Sequence, residues 1–424
     1  MRVTVAPGGI KGEVRAIPSK SHLHRLLICA ALADAPTLVR SASTAAEDIT
    51  ATIACLCALG AKIERVPEGF AVKPVDLANL PAQATLPCGE SGSTLRFMLP
   101  VVAALGVTGR FEMAGRLPKR PLAPLDEQLA AGGAKFSWET PSVLHCEGQL
   151  RPAHYTLPGN ISSQYITGLL LALPLLEGGS GLTVIPPIES EDYIAMTLEA
   201  TSAFGYSPEM DGGDYIICGG RSFVSPGEVH CEGDWSNAAF WLCAGAMPGG
   251  DITIRGLSAA SSQGDREILN VLGQMGALIA VNGDTIQMRE GARRAVEIDG
   301  RAIPDLIPVL SAVAALAGGE TVVRNAARLR LKESDRLAAT AQTLNALGAN
   351  ITELEDGLRI RGMAQLCGGE ADSWGDHRIA MMAAIASAGC DGPVSVTGGQ
   401  AVRKSYPGFW EELAALGKRV NIHE

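Results

Sequence analysis

The chain has 424 residues, too many for one ordinary hydrophobic core, so we expect two domains. Its apolar content of 47% and charged content of 19% are typical of a globular protein rather than a disordered one. The net charge of −10 argues against a nucleic-acid surface, and no membrane span or secretory leader is visible, so we expect a cytoplasmic protein without nucleic-acid or membrane partners.

A repeat of roughly seventy residues runs along the chain. Glycines that suit a left-handed helix cap recur at positions 60, 133, 205, 276, 348 and 417, which are 69 to 73 residues apart. Between them the pattern gives a strand, a helix rich in small residues, a short strand, a second helix and a hairpin. The chain therefore predicts six βαβαββ units with partly parallel pairing.

The six units divide naturally into two lobes of three. Gly12-Glu13-Val14 precedes the first predicted helix, and Gly227-Glu228-Val229 precedes the fourth in the same way. This echo suggests two similar lobes joined near residue 230. A cleft between the lobes is the expected binding site.

The predicted helix starts carry most of the polar chemistry. In chain order they are Lys20-Ser21, Glu90-Ser91-Gly92-Ser93, Ser162-Ser163-Gln164, Asp234-Trp235-Ser236-Asn237, Ile303-Pro304-Asp305 and Asp376-His377-Arg378. A helix N-terminus presents N–H groups without helical partners and about half a positive charge. Several of them aimed at one space would bind anions.

The first two helix starts offer groups that suit a phosphate. Lys20 and Arg25 flank the Ser21 hydroxyl, although a plain N-cap followed by an extended arginine explains the same residues. The turn from Gly89 to Arg96 is rich in glycine and serine, but it lacks the Gly-Lys-Ser/Thr ending of a Walker motif. His22 and His24 suggest a metal pair, yet residues two apart on a helix face different directions.

The segment Lys332-Glu333-Ser334-Asp335-Arg336 is the sharpest local signal. We expect it to form the first turn of a helix, with Lys332 and Arg336 on one face. A carboxylate between two cations suits proton transfer on an anionic substrate. A helix ion pair or a solvated basic face is the alternative for this segment, and an N-cap is the simpler interpretation of Asp305 and of Asp376.

Together these motifs resemble the enolpyruvyl transferase family, and within it the 3-phosphoshikimate 1-carboxyvinyltransferases, or EPSP synthases. The resemblance covers the whole chain and is carried by Ser19-Lys20-Ser21 with Arg25, Gly89 to Arg96, Lys119-Arg120-Pro121, Ser162-Ser163-Gln164, Asp305, Leu331 to Arg336, Asp376-His377-Arg378 and Lys404. The fourth repeat contributes no chemical residue to it.

This resemblance implies an α/β fold of two lobes, each an inside-out α/β barrel of three βαβαββ repeats. Residues 13–230 would form the N-terminal lobe, and residues 1–12 with 231–424 would form the C-terminal lobe, because the N-terminal strand crosses to pack with the C-terminal lobe. We expect a monomer.

The resemblance also implies a reaction. The enolpyruvyl group of phosphoenolpyruvate would pass to the 5-hydroxyl of shikimate 3-phosphate by addition and elimination, with release of phosphate and without a metal or organic cofactor. Catalytic roles would fall to Asp305, Glu333 and Lys20. The implied shikimate 3-phosphate contacts are Lys20, Ser21, Arg25, Ser162, Ser163, Gln164, Ser190, Asp305 and Lys332. The implied phosphoenolpyruvate contacts are Lys20, Gly92, Arg120, Gln164, Arg336, Arg378 and Lys404.

Charge agrees with this interpretation. Seven implied site residues are cations and two are carboxylates, whereas the two substrates together bring roughly five to six negative charges. The site would be close to neutral only with both substrates bound. We therefore expect an empty site that is strongly positive and lobes that close when the substrates bind.

Two positions depart from the family pattern, and three alternatives remain. Many members have Asn-Ala-Gly-Thr where this chain has Glu90 to Ser93, and Asn where this chain has Arg328. The sister enzyme acting on UDP-N-acetylglucosamine uses a cysteine in the loop that here runs from Gly115 to Pro121, which contains none. A non-catalytic anion-binding protein would have lost Asp305 or Glu333. An RNA 3′-phosphate cyclase would need a nucleotidylated histidine and a more basic face.

Overall fold

The computed structural model describes residues 1–41, 46–220 and 223–423. Its strands, in chain order, are β1 Arg2–Val5, β2 Lys11–Arg15, β3 Thr37–Arg40, β4 Lys62–Val66, β5 Gly69–Lys73, β6 Gln83–Gly89, β7 Thr108–Met113, β8 Ala134–Thr140, β9 Val143–Gly148, β10 His154–Pro158, β11 Ser180–Ile185, β12 Glu209–Asp211, β13 Asp214–Ile217, β14 Glu228–His230, β15 Asp251–Arg255, β16 Leu278–Asn282, β17 Thr285–Arg289, β18 Glu297–Asp299, β19 Glu320–Arg324, β20 Asn350–Glu353, β21 Leu358–Arg361, β22 Gly369–Asp372, β23 Val394–Thr397 and β24 Val420–His423. Its α-helices are α1 Lys20–Ala31, α2 Glu47–Ala58, α3 Gly92–Leu105, α4 Leu125–Ala131, α5 Ser163–Ala172, α6 Glu191–Ala203, α7 Trp235–Ala246, α8 Ile268–Gln274, α9 Ile307–Ala314, α10 Arg336–Ala346, α11 His377–Ala386 and α12 Phe409–Ala415.

The strands of these described ranges form six four-stranded sheets with one common plan. In the second repeat, for example, β6 pairs in parallel with β7, and the hairpin β8–β9 continues the sheet antiparallel to β7. Helix α3 lies between β6 and β7 in the chain, and α4 lies between β7 and β8. The six predicted βαβαββ repeats and the α/β fold class are confirmed.

The chain forms two compact units, each with three of these sheets. One unit consists of Met1–Ser19 with Glu232–Glu424, and the other of Lys20–Cys231. We call them the C-terminal unit and the N-terminal unit. Each unit also has its own hydrophobic core of buried residues.

The two strands that carry the repeated Gly-Glu-Val pattern each pair in the unit that does not contain the next helix of the chain. Strand β2 precedes α1 in the chain, yet it pairs with β15 of the C-terminal unit. Strand β14 precedes α7, yet it pairs with β3 of the N-terminal unit. The predicted lobe boundary after residue 12 would cut through β2. In the structure the boundary lies after Ser19, because all of β2 is paired with β15. Strand β1 completes the sixth sheet between β23 and β24.

The glycines that end the second helices have the backbone conformation that the sequence predicts. Gly60, Gly133, Gly205, Gly276, Gly348 and Gly417 have φ between 73° and 118°. This left-handed region is costly for a residue with a Cβ atom. Each glycine therefore ends its helix and turns the chain into the next strand.

Small residues let the first helices of the repeats pack closely. In the C-terminal unit, α7, α9 and α11 contact one another, and Ala312 and Ala380 are fully buried there. In the N-terminal unit, a Cβ atom on Gly168 of α5 would lie 2.3 Å from the Arg96 carbonyl oxygen of α3. The predicted helices rich in small residues thus pack closely against one another within each unit. Across the described ranges, no helix has the length and apolar character needed to cross a bilayer.

Candidate active site

Most of the predicted helix starts are helix N-termini in the structure. The side chains of Ser91, Ser162, Asp234 and Asp376 cap α3, α5, α7 and α11 by accepting backbone N–H groups of the first turn. Asp305 is different, because α9 begins only at Ile307. The N-cap interpretation of Asp305 is therefore wrong, and its carboxylate has other partners.

Arg336 lies at the centre of a charged cluster in the C-terminal unit. Its side chain is only 2% exposed. Its guanidinium donates to Asp305 Oδ1 and to Glu333 Oε2, each at 2.6 Å, and to Asp376 Oδ2 at 2.8 Å. Charge-assisted bonds of this kind fix both partners in position. One buried cation thus joins carboxylates from three separate segments.

The segment before α10 does not form the helical turn that the sequence predicts. Helix α10 begins at Arg336, because the Asp335 side chain accepts the Ala338 N–H as an N-cap. Lys332 and Glu333 consequently lie in the loop before the helix. That loop brings Glu333 back to Arg336 and places Lys332 Nζ 3.6 Å from Asp305 Oδ1.

Asp305 therefore lies among three cations. Besides Arg336 and Lys332, Arg378 donates from Nη2 to Asp305 Oδ2 at 3.1 Å and from Nη1 to the Asp305 carbonyl at 3.2 Å. Burial opposes ionisation of Asp305, but these cations outweigh burial and hold its pKa well below the ordinary value. Burial lowers the pKa of Lys332 to about 8, although the negative charge of Asp305 acts to raise it.

Asp376 has two roles, of which the sequence analysis predicted only the helix cap. It caps α11, and it also accepts from Arg336 and from the Ser334 hydroxyl while fully buried. Burial opposes its ionisation, yet Arg336 lowers its pKa below the ordinary value. Lys404 lies beside the same helix start, where its Nζ donates to the Gly375 carbonyl at 2.7 Å.

The N-terminal unit contains the remaining predicted residues. Lys20 forms an ion pair with Asp48 of α2, with 2.7 Å between Nζ and Oδ2. Arg25 is 2% exposed, and its guanidinium donates to the Ser21 carbonyl at 2.6 Å and to Thr197 Oγ1 at 2.8 Å. Arg25 thereby ties the first turn of α1 to α6.

Gly92 lies where two arginines meet the start of α3. A Cβ atom at this position would lie 2.7 Å from Arg120 Nη1 and 2.8 Å from Arg96 Nη1. Arg96 also donates to Gln164 Oε1 at 2.8 Å, and Gln164 donates from Nε2 to Ser93 Oγ at 2.9 Å. The starts of α3 and α5 are thus joined through the predicted site residue Gln164.

Besides Ser21, three predicted serines lie at or next to helix starts of the same unit. Ser162 and Ser163 begin α5, and Ser163 is 5% exposed. Ser190 precedes α6 with φ 55°, a left-handed conformation that is uncommon for a residue other than glycine. Such a conformation persists only where its surroundings hold it, which is typical of functional positions.

The structure adds two carboxylates to the predicted charge count. Asp48 pairs with Lys20, and Asp376 pairs with Arg336. The predicted cations of each unit are therefore accompanied by one more carboxylate than the sequence analysis counts. Asp48 gave no signal, because acidic residues are ordinary at a helix N-terminus, and Asp376 was predicted only as an N-cap.

Comparison with known proteins covers both units. The model of the family EPSP synthase (3-phosphoshikimate 1-carboxyvinyltransferase) matches residues 5–413. The chain belongs to the EPSP synthase family. The matched range includes every predicted site residue from Lys20 to Lys404.

Relatives within the EPSP synthase family match over nearly their whole length. The 3-phosphoshikimate 1-carboxyvinyltransferase of Clostridium kluyveri is 40% identical, covering 99% of this chain and 98% of the relative. That of Clostridium acetobutylicum is 39% identical, covering 100% and 98%. Two structures of EPSP synthase from Acinetobacter baumannii superpose with TM-scores of 0.80 and 0.81 at 27% and 26% identity. These two matches cover 99% and 100% of this chain and the whole of each solved chain.

Proposed function

We propose that this enzyme transfers the enolpyruvyl group of phosphoenolpyruvate to the 5-hydroxyl of shikimate 3-phosphate. The products are 5-enolpyruvylshikimate 3-phosphate and inorganic phosphate, on the shikimate pathway to aromatic amino acids. The observation that carries the proposal is the pair Asp305 and Glu333, each 2.6 Å from the buried Arg336 guanidinium. In an EPSP synthase family member, this pair supplies two proton-transfer groups among cations suited to anionic substrates.

The reaction has two halves. In the addition, the 5-hydroxyl oxygen bonds to C2 of phosphoenolpyruvate, its proton passes to Asp305, and C3 receives a proton from Glu333 to become a methyl group. In the elimination, the bond from C2 to the phosphate oxygen breaks and the departing phosphate takes up the proton that Asp305 holds. The methyl group returns a proton to Glu333, and the C2–C3 double bond forms again. Lys20 acts with this pair as the catalytic cation of the N-terminal unit.

Substrate binding itself makes Asp305 a stronger base. In the empty site, three cations hold its pKa well below the ordinary value, so the carboxylate attracts a proton weakly. Phosphoenolpyruvate brings a carboxylate and a phosphate that compete for Arg336 and Arg378. Each bond that moves from Asp305 to the substrate raises the pKa of Asp305 towards the range useful for proton removal.

The remaining residues bind the two anions. For phosphoenolpyruvate we propose Lys20, Gly92, Arg120, Gln164, Arg336, Arg378 and Lys404. For shikimate 3-phosphate we propose Lys20, Ser21, Arg25, Ser162, Ser163, Gln164, Ser190, Asp305 and Lys332. Arg25 contributes by holding the Ser21 turn, to which its guanidinium is bonded.

Phosphate release by the purified enzyme tests the proposal. Phosphoenolpyruvate is supplied with either shikimate 3-phosphate or UDP-N-acetylglucosamine, and Asp305→Ala is run alongside. We expect release only with shikimate 3-phosphate. The rate of release should be at least a hundredfold lower in the variant, which is the usual contribution of a general base to the rate. Release with neither acceptor would refute the function. The monomeric state and the cytoplasmic location stay predictions.

A further inference from the structure

The start of α7 contributes a hydroxyl to the charged cluster, although the sequence analysis assigned no chemistry to the fourth repeat. Ser236 is the second residue of α7 and is 9% exposed. Its Oγ accepts a hydrogen bond from Arg378 Nη2 at 2.6 Å. The same nitrogen donates to Asp305 Oδ2 at 3.1 Å. Arg378 is thus held by Asp305 on one side and by Ser236 on the other.

A second buried carboxyl group stands behind this hydroxyl. Asp265 lies in the short 3-10 turn Gly264–Glu267 and is 4% exposed. It is hydrogen-bonded to Ser236, and the charged groups that face it are Asp305, Arg378 and Asp234. Its contact with the predicted site therefore runs through Ser236.

The chemistry of a hydroxyl fixes the direction of this chain of contacts. A serine hydroxyl has one proton to donate and two lone pairs that accept. If its proton points to Asp265, its lone pairs are left for Arg378. Asp265 thereby orients the hydroxyl, and the hydroxyl orients the guanidinium.

The Arg378 guanidinium still has capacity for a ligand. Its Nη1 and Nη2 bond to Asp305 and Ser236, whereas its buried Nε has no hydrogen-bond partner among the described residues. A buried donor without a partner is costly, and an anionic oxygen would satisfy it. The guanidinium is therefore anchored at one end and has a donor remaining.

We propose that Ser236 and Asp265 are positioning residues that hold Arg378 for phosphoenolpyruvate. This inference rests on the proposed function, which assigns Arg378 to that substrate. When the substrate takes the place of Asp305 as partner, Ser236 keeps its bond and stops the guanidinium from turning. Losing the pair therefore weakens phosphoenolpyruvate binding and leaves shikimate 3-phosphate binding unchanged.

Steady-state kinetics with each substrate varied in turn tests the inference. Ser236→Ala removes the hydroxyl, and we expect the KM for phosphoenolpyruvate to rise about tenfold, which is typical for loss of one hydrogen bond to a charged group. The KM for shikimate 3-phosphate should stay within about twofold of wild type. Ser387→Ala is the matched control, since Ser387 is fully buried in the same unit and its hydroxyl donates to the Ala384 carbonyl.

A pair of substitutions at Asp265 separates positioning from packing. Asp265→Asn keeps polar atoms that can bond to Ser236, so its KM for phosphoenolpyruvate should stay close to wild type. Asp265→Leu has a similar size without those atoms and should match Ser236→Ala. Circular dichroism and unfolding midpoints identify any variant that fails to fold. If Asp265→Leu does not fold, the KM values of Asp265→Asn and Ser236→Ala still test the positioning role.

The outcomes distinguish the two proposals. If wild type turns over both substrates but Ser236→Ala leaves the phosphoenolpyruvate KM unchanged, or raises both KM values equally, the positioning role is wrong and the function stands. If wild type turns over neither substrate, the proposed function fails and the inference fails with it.

Discussion

Asp265 should make the stability of the enzyme depend on pH with a sign opposite to that of an ordinary carboxylate. Burial and the neighbouring Asp305 raise its pKa from 3.8 to about 7, although Arg378 opposes the shift. The folded protein therefore keeps a proton on Asp265 that the unfolded chain releases. The stability from this proton is complete below about pH 4 and is lost as the pH rises to about 7.

The magnitude follows from the linkage relation. Each pH unit between about 4 and 7 lowers the free energy of unfolding by about 1.4 kcal/mol, which sums to a value of the order of 4 kcal/mol. Asp265→Asn carries no titrating proton there and escapes the loss. The free energy of unfolding of the variant, measured relative to wild type, should therefore rise by about 2 to 3 kcal/mol from pH 5 to pH 7.

Urea unfolding followed by tryptophan emission is the assay. Four of the five tryptophans, at positions 235, 241, 374 and 410, lie in the C-terminal unit with Asp265, so emission reports chiefly on that unit. Asp299→Asn is the control, because Arg301 lowers the pKa of Asp299 and the gap to wild type should stay constant between pH 5 and 8. If the free energies of unfolding of wild type and Asp265→Asn change with pH in parallel over this range, the reasoning is refuted.

Three further predictions concern the predicted site. Because burial lowers the pKa of Lys332 to about 8, the KM for shikimate 3-phosphate should rise roughly fivefold from pH 8 to 9, and Lys332→Arg should abolish that rise while keeping the charge. Gly92→Ala puts a methyl group 2.7 Å from Arg120, so the KM for phosphoenolpyruvate should rise about tenfold or more, whereas Gly408→Ala, with open space around it, should leave KM unchanged. Asp376→Ala removes a helix cap and leaves the buried Arg336 short of a partner, so unfolding midpoints should report a loss of about 3 to 5 kcal/mol. A loss under about 1 kcal/mol would mean that the remaining carboxylates satisfy Arg336.

The repeat pattern could be predicted because its signals are local. A glycine cap, an alternating strand and a serine or aspartate before a helix each act over a few residues. Those features place Ser91, Ser162 and Asp376 correctly as N-caps. They do not reveal that β2 pairs in the C-terminal unit and β14 in the N-terminal unit, because both strands carry the same local pattern.

The contacts of the predicted site depend on the tertiary structure. Arg336 meets Asp305 and Asp376, which are 31 and 40 residues away in the chain. Asp48 and Asp265 look in the sequence like ordinary acidic residues next to helices. Only the fold shows that one pairs with Lys20 and that the other lies behind Ser236.

The mass of the product formed in deuterium oxide tests the central claim most directly. Addition turns the methylene of phosphoenolpyruvate into a methyl group that holds one solvent hydrogen, and elimination then returns any one of the three. The account predicts an enolpyruvyl ether of shikimate 3-phosphate with deuterium in its vinyl methylene, formed far more slowly by Glu333→Gln. An enolpyruvyl ether without deuterium would contradict addition and elimination at this cluster, and no ether at all would contradict the proposed function.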